Sequence, residues 1–320
     1  MKPLQKILTK FNGLHYPQEY LCFSKGSFPD PLHAYLVNDK RIIKDITNQH
    51  LFVGYSPLVF AFPFADLPPS IQIIFCQQVL QPNEIFAAKE ALAILDLNLI
   101  KEQQAGTGYV SYYEGTNGHH HFLPAFHQYI NSLNNQWYNK NPGNVFLHKN
   151  LYKQVQIAYS IPRVISLVTV GSNSLFNLFP TDLHGQVDEK HYIISLRTGG
   201  KACNQVKAEG KLLVSQMHCQ AFKTVYGLGK NHMQDLKTKD HFAFGGLLSE
   251  KFNLPLPQDA LSYNELELAD SYIFGIHSIM LFKIVIYRKL HNENDSLAHI
   301  HNSYASWRYK NRLQGNYLLR

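Results

Sequence analysis

Short apolar runs separated by polar residues fill the first 140 positions and predict a mixed α/β domain. In the clearest helical stretch, Ile85, Ala88 and Leu92 recur at the spacing of one helix face. Two β-branched or aromatic runs have the length of strands instead. Strands are predicted at 32–37 and 51–55, and helices at 71–80, 82–95 and about 123–137.

A change of pattern divides the chain near its middle. A polar, Asn-rich stretch ends in Asn141-Pro142-Gly143-Asn144, which is strong turn chemistry. Beyond it the apolar runs are shorter and richer in β-branched residues, as in a β-rich barrel or sandwich. We therefore predict an α+β protein with domains at 1–143 and 144–320. In the second domain, strands are predicted at 164–170, 192–196, 212–216, 272–277 and 279–287, and helices at 202–208 and 221–226.

Composition indicates a folded protein. Hydrophobic residues make up 45% of the 320 positions and charged residues only 17%, which excludes disordered, collagen-like and coiled-coil chains. The 30 Lys and Arg exceed the 23 Asp and Glu by seven. Because the basic residues are spread along the chain, with one short cluster at 307–312, nucleic-acid binding is not expected.

Cysteine usage favours a reducing compartment. The four cysteines lie far apart without a C-x-x-C pair, so neither a disulfide framework nor a thiolate zinc site is predicted. The most apolar late stretch, 272–287, contains His277 and Lys283, and the first residues contain no long apolar core. We therefore expect a cytoplasmic protein without a membrane segment.

Several motifs that could indicate a functional site are interpreted as ordinary structural features. Gly227-Leu228-Gly229 lacks the rest of a dinucleotide fingerprint and is interpreted as a turn, and no P-loop, G-x-S-x-G or H-E-x-x-H motif occurs. His119-His120-His121, with His127 nearby, is interpreted as a polar loop before a helix, because consecutive side chains point in different directions. His299 and His301 share a strand face but are interpreted as surface histidines, and no metal site is predicted.

One order of segments in the second half is more specific. An Ile161-Pro162-Arg163 step leads into an apolar strand, followed by a Gly171-Ser172-Asn173-Ser174 turn and the segment 177–183. This order resembles the flavin reductase-like FMN-binding split-barrel family. The resemblance continues over about 146–310, through the segments 192–197, 201–206, 211–215, 252–257, 270–277 and 296–304.

The resemblance implies a C-terminal FMN-binding split β-barrel preceded by the mixed α/β domain. It implies hydride transfer from NAD(P)H to FMN, and on to a small acceptor or to free flavin, by a homodimer. Hydroxyls, a cation and helix-start amides suit the flavin phosphate. The implied cofactor-binding residues are Asn177, Leu178, Phe179, Pro180, Thr181, Asp182, Leu183, Ser195, Arg197, Thr198, Lys201, Ala202, Cys203 and Asn204.

Three positions depart from the family pattern. Asp182 stands where the family has Ser, Cys203 replaces a Thr, and His277 replaces a Glu. A carboxylate at 182 repels a phosphate unless Lys201 or Arg197 intervenes. A second hypothesis is therefore a non-catalytic or regulatory barrel with weakened flavin binding, whose function lies in the N-terminal domain.

Overall fold

A computed structural model describes residues 9, 11–29, 32–106, 108–138, 145–293, 295–313 and 315–318. Contacts within the chain divide it into two compact units. The first unit comprises the segments Met1–Leu21, Phe28–Pro162 and Ile300–Leu319, and the second unit comprises Cys22–Ser27 and Arg163–His299.

This division differs from the boundary that the sequence predicts at 143, and the predicted turn Asn141-Pro142-Gly143-Asn144 lies outside the described residues. Residues beyond it still belong to the first unit, because Asn150 accepts a hydrogen bond from the Gly118 N–H at 2.5 Å. The chain also returns to this unit late, where the His301 N–H donates to the Tyr159 carbonyl oxygen at 2.9 Å.

The first unit is built on a seven-stranded antiparallel sheet with the order β3-β2-β6-β7-β8-β5-β4. A buried cluster that includes Tyr35, Ile74 and Phe86 packs at one end of it. The strands are β1 (Tyr20–Ser24, shared by the two units), β2 (His33–Asn38), β3 (Arg41–Asp45), β4 (Leu51–Tyr55), β5 (Leu58–Phe62), β6 (Ser70–Cys76), β7 (Ala93–Ala105) and β8 (Gly108–His120). The helices are α1 (Ala125–Tyr138), α2 (Leu151–Ala158) and, near the end of the chain, α5 (Asn302–Lys310).

The two helices predicted at 71–80 and 82–95 are wrong. Residues 71–76 belong to β6, and the second stretch holds a single 3-10 turn before β7 begins at Ala93. Ala93, Leu95 and Leu97 are buried and alternate with more exposed positions, so the period is two and not 3.6. The mixed α/β prediction for this half is therefore replaced by an antiparallel α+β arrangement.

Other predictions for the first half are confirmed. The strands at 32–37 and 51–55 and the helix near 123–137 are present as β2, β4 and α1. The prediction of a polar loop at the histidine triplet is wrong. Strand β8 extends to His120, and the side chain of His120 is fully buried.

The second unit contains an eight-stranded sheet with the order β12-β13-β19-β18-β14-β10-β11-β15, antiparallel throughout. Val168, Phe179, Ile194, Val214 and Phe282 belong to its buried core. The strands are β9 (Arg163–Val164), β10 (Ser166–Ser172), β11 (Leu175–Thr181), β12 (His184–Gln186), β13 (His191–Arg197), β14 (Lys211–Met217), β15 (Lys237–Thr238), β16 (Phe244–Leu248), β17 (Pro255–Pro257), β18 (Ala260–Phe274), β19 (His277–Lys289) and β20 (Leu297–His301, shared by the two units). The helices are α3 (Lys201–Glu209) and α4 (Phe222–Gly227).

Most elements predicted here are confirmed, including the strands near 164–170, 192–196, 212–216 and 279–287 and both helices. The predicted strand 272–277 instead spans a hairpin, since β18 ends at Phe274 and β19 begins at His277. Gly275, with φ of 56°, supplies the left-handed conformation at this turn. Within the described part of the chain, no helix has the length and apolar character needed to cross a membrane.

Candidate functional site

A cavity of about 200 Å³ lies within the second unit, beside the end of β11. One part of its wall is apolar, and the other carries hydroxyl, carboxylate and imidazole groups. The lining residues are Ile165, Pro180, Thr181, Asp182, Val225, Tyr226, Gly229, His232 and His299.

Three of these residues form a hydrogen-bonded chain. The His299 Nε2 lies 2.9 Å from the Asp182 Oδ2, and the His299 Nδ1 lies 2.9 Å from the Tyr226 hydroxyl. The side chains of His299 and Asp182 are 9% and 23% exposed. Because a carboxylate only accepts hydrogen bonds, Asp182 fixes the hydrogen of the ring on Nε2, and Nδ1 faces Tyr226. The chain therefore connects a carboxylate to a phenol at the cavity wall.

His232 lies in the same cavity wall but forms a structural hydrogen bond to the backbone. Its Nε2 donates to the Pro180 carbonyl oxygen at 2.8 Å, and burial lowers the pKa of the ring. The neighbouring Asn231 amide donates to the Leu178 carbonyl oxygen at 2.8 Å. These bonds attach the 3-10 turn Leu228–Met233 to β11 and so fix this side of the cavity.

The start of α3 provides a second group of donors. The helix begins at Lys201 after Gly200, which is extended and makes no side-chain cap. The first-turn amides of an α-helix have no acceptor within the helix, so they attract anions. Lys201 and Arg197 bring positive charge to the same end, although the Lys201 Nζ contacts the Asp235 Oδ2 at 2.6 Å.

The charges of Asp182, in the cavity wall, and Arg197, near the start of α3, both influence the pKa of a third residue, His277. This histidine stands opposite Arg197 in the pairing of β13 with β19, and its Nδ1 lies 3.3 Å from the Ser195 hydroxyl. Burial, with a smaller contribution from Arg197, lowers the pKa of His277 to about 4, against a raising effect of Asp182. Asp182, just after β11, and Arg197, at the end of β13, therefore act in opposite directions on the pKa of His277.

The predicted site residues separate into two classes by exposure. Seven have side chains in the interior: Asn177, Leu178, Phe179, Leu183, Ser195, Ala202 and Cys203. Thr181 is buried from bulk solvent but lines the cavity, and six others are at least partly exposed: Pro180, Asp182, Arg197, Thr198, Lys201 and Asn204.

The side chains of two of these residues, Asn177 and Asp182, have hydrogen-bond partners within the protein. The Asn177 amide donates to the Gln205 Oε1 at 2.7 Å and to the Asn231 carbonyl oxygen at 3.0 Å. The carboxylate of Asp182 bonds to His299, whereas Lys201 pairs with Asp235. The hydrogen-bond partner of Asp182 is thus a histidine that the sequence interpretation placed on the surface.

Sequence reasoning missed Tyr226, His232 and His299. His299 is only 7% exposed and His301 only 1%, so the surface interpretation of both is wrong. Their apolar neighbours Leu297, Ala298 and Ile300 are the signal that indicates a buried strand. Gly229, interpreted as part of a turn, lies in the 3-10 segment that lines the cavity.

No protein-family model matches the sequence, and no curated protein matches it. Among solved structures, the flavin reductase component of a bacterial two-component tryptophan halogenase is 18% identical, with a TM-score of 0.41, over 48% of this chain and 94% of that one. An NADH:FAD oxidoreductase from Streptomyces globisporus is 14% identical, with a TM-score of 0.42, over 51% of this chain and 96% of that one. An FMN-binding protein from Thermus thermophilus is 17% identical, with a TM-score of 0.35, over 47% and 76%.

Proposed function

We propose that this protein is a flavin-dependent oxidoreductase of the flavin reductase type, with a split-barrel second unit that binds FMN. In this proposal hydride passes from NAD(P)H to the flavin, and from there to a small acceptor or to free flavin. The supporting observation is the start of α3, which has no side-chain cap and where Lys201 is the first helical residue and Arg197 lies four positions before it.

The residues at the start of α3 fit the phosphate of a flavin. Helix-start amides and a guanidinium are the donors that phosphates prefer. The Lys201–Asp235 pair does not prevent this, because its side chains are 48% and 79% exposed and such pairs contribute little stability. Arg197, Thr198, Lys201 and the amides of Ala202, Cys203 and Asn204 would hold the phosphate.

The cavity is too small for the whole cofactor. Its 200 Å³ is below the roughly 300–1,000 Å³ of pockets that enclose drug-sized ligands. A homodimer, in which a second copy covers the rest of the flavin, is therefore part of the proposal, as is a cytoplasmic location. The flavin supplies the hydride chemistry when bound, and the protein binds and orients it.

One observation favours the alternative of a barrel with weakened flavin binding. The Asp182 carboxylate faces the cavity, and the Asn177 amide is held by Gln205 and Asn231. In that case the function resides in the N-terminal domain. The two hypotheses make opposite predictions about retention of FMN.

The deciding experiment is an absorption spectrum after incubation with excess FMN and desalting. The proposal predicts a stoichiometric flavin spectrum, and oxidation of NADH or NADPH above the rate without protein. Arg197→Ala is expected to weaken FMN binding roughly 10–100-fold, since a charge-assisted hydrogen bond is lost.

The matched control is Arg288→Ala. Arg288 is also an exposed arginine of the second unit, but it pairs with Glu250 at 2.7 Å away from the start of α3. It should leave FMN retention unchanged. A colourless wild-type protein without pyridine-nucleotide oxidation would reject the proposal in favour of the alternative.

A further inference from the structure

We propose that helix α1 (Ala125–Tyr138) is an interaction surface for a second copy of this chain, through one stripe of aromatic and aliphatic side chains. The two helices lie side by side and antiparallel, and each covers the stripe of the other. The contact involves the first unit, so it is separate from the homodimer over the flavin, and its test uses no cofactor.

Four large apolar side chains of α1 are exposed. They recur at intervals of three and four residues, so they form one continuous stripe along the helix. Their exposed fractions range from 45% to 71%, and the residues are Phe126, Tyr129, Leu133 and Trp137. Exposed apolar patches of this kind on a folded protein commonly mark an interaction site.

The opposite face of α1 contains buried polar side chains. The Gln128 side-chain amide donates to the carbonyl oxygens of His120 and Leu123 at 2.9 and 2.8 Å. The Asn131 amide donates to the Asn12 carbonyl oxygen at 2.7 Å. A surface helix normally buries its apolar face and exposes its polar face. The reversed polarity of α1 indicates that a partner covers the apolar stripe.

The charge of the helix favours a second copy over other partners. Residues 125–138 contain no Asp, Glu, Lys or Arg. Helices that bind anionic membranes carry Lys and Arg, and steering of a charged protein requires an opposite charge. An uncharged stripe is complementary to itself, which a two-fold symmetric contact requires. The half-buried Ser132 and Gln136 beside the stripe supply a polar rim.

The area of the stripe sets the strength of the contact. Three aromatic side chains of roughly 150–250 Å² each, about two-thirds exposed, together present about 300–500 Å² before the leucine is added. A stable interface buries about 800 Å² on each partner, and a weak one less than about 600 Å². The contact is therefore a weak one, and association should depend on protein concentration.

The spacing of the stripe defines which side chains meet. Phe126 and Trp137 lie about 16 Å apart along the helix axis. In an antiparallel pair, Phe126 of one copy faces Trp137 of the other, and Tyr129 of one copy faces Leu133 of the other. Leu133 therefore lies close to the two-fold axis, where a charge would be near the same charge of the second copy.

The first experiment is sedimentation equilibrium of the full-length protein over about 1–300 μM, a range that detects weak association. The wild-type protein should associate one step further than Leu133→Glu at the same concentration. Leu133→Glu should weaken this step at least roughly 10-fold, because like charges then meet in the contact. Urea unfolding checks that the variant keeps its fold, as expected for an exposed position.

The matched control is Val79→Glu. Val79 is also an exposed apolar residue of the first unit, at 68%, but it lies outside α1. It receives the same charge and should leave association unchanged.

A charge exchange tests whether the partner is a second copy. Leu133→Lys should weaken association as Leu133→Glu does. An equimolar mixture of the two variants should associate again, because opposite charges then meet near the axis. A contact with any other partner predicts no recovery in the mixture.

A spin label on α1 tests the geometry. All four native cysteines are buried, so a label attached to Ser132→Cys reports on α1. Packed helices lie 8–10 Å apart, and the two labels should therefore be less than about 25 Å apart in pulsed electron resonance. The short distance should disappear when Leu133→Glu is added to the labelled variant.

Three results would overturn the proposal. One is self-association that Leu133→Glu leaves unchanged, which would assign every contact between copies to other surfaces. Another is the lack of any short label distance at the highest concentration. The third is binding of the wild-type protein, but not of Leu133→Glu, to phosphatidylcholine–phosphatidylserine vesicles without self-association. FMN retention is measured separately, so failure of this proposal and failure of the flavin proposal are distinguishable.

Discussion

Each of the two units buries a histidine next to its sheet, but the partners of the two rings differ. In the first unit His120 is fully buried, and its Nε2 lies 3.2 Å from the Gln156 side-chain oxygen. In the second unit His299 lies between a carboxylate and a phenol at a cavity wall. An amide partner in a closed core stabilises one packing arrangement, whereas a carboxylate partner at a cavity orients a proton-carrying chain.

The largest effect is expected from a second pair of buried histidines, His120 in the first unit and His277 in the second unit, and it is acid destabilisation. Burial lowers the pKa of His120 to about 3 in the first unit and that of His277 to about 4 in the second unit. Both values are below the 6.5 of an unfolded histidine, so the unfolded chain binds more protons than the folded chain as the pH falls. Each histidine should lower the free energy of unfolding by about 1.4 kcal/mol per pH unit below about 6.5.

As the pH falls, the loss of stability due to each histidine should end at a different pH in the two units. The contribution of His277 ends near pH 4, whereas that of His120 continues toward pH 3. Urea unfolding across this range, with hydrogen exchange assigned to each unit, measures both contributions. His120→Gln and His277→Gln should each flatten the slope of their own unit, and slopes equal to the wild type would contradict the assignment.

A second effect is expected from two glycines that allow close packing. Gly171, at the end of β10, has φ of 148°, and an added Cβ would overlap the Leu175 carbonyl oxygen. Gly171→Ala should destabilise the second unit by roughly 3–5 kcal/mol, because a left-handed conformation and a backbone clash act together.

Gly118 in the first unit should tolerate an added Cβ better than Gly171 does. An added Cβ would lie 2.9 Å from the Gln154 Cγ, a flexible side chain, and 3.1 Å from the Gln154 Cα. Gly118→Ala should cost roughly 1–2 kcal/mol. Urea unfolding of both variants tests whether Gly171→Ala is the more destabilising change. An equal loss of unfolding free energy in the two variants would mean that the turn after β10 relaxes to accept a Cβ.

The smallest effect concerns two tyrosine hydroxyls. In the first unit the Tyr113 hydroxyl donates to the Pro68 carbonyl oxygen at 2.7 Å, and burial raises its pKa to about 12. Tyr113→Phe should cost about 1–2 kcal/mol, because that carbonyl loses its partner. Tyr226→Phe should cost less than about 1 kcal/mol, since Tyr226 lines a cavity and His299 keeps its bond to Asp182. Chemical unfolding that ranks Tyr226→Phe as the more damaging change would indicate a structural role for Tyr226.

The accuracy of the sequence predictions differs between the two units for a physical reason. In the second unit the apolar runs are bounded by Gly, Asn and Asp, so local turn chemistry marks both ends of most strands. The start of β7 is ambiguous in the sequence. Leu95 and Leu97 alternate with polar residues as in a strand, but Ile85, Ala88 and Leu92 just before them have the spacing of a helix. Pairing with β6, where Ile73 stands opposite Leu95, decides between the two periods.

The sequence by itself determined the segment order from Ile161 to His277, the position of α3 and the charged residues at its start. These features depend on neighbours along the chain, which a linear pattern contains. Only the tertiary structure decided that Asp182, Tyr226 and His299 meet at one cavity, and that Lys201 pairs with Asp235. Asp182 and His299 are 117 positions apart, and contacts over such distances depend on how strands pair and which side chains the core encloses.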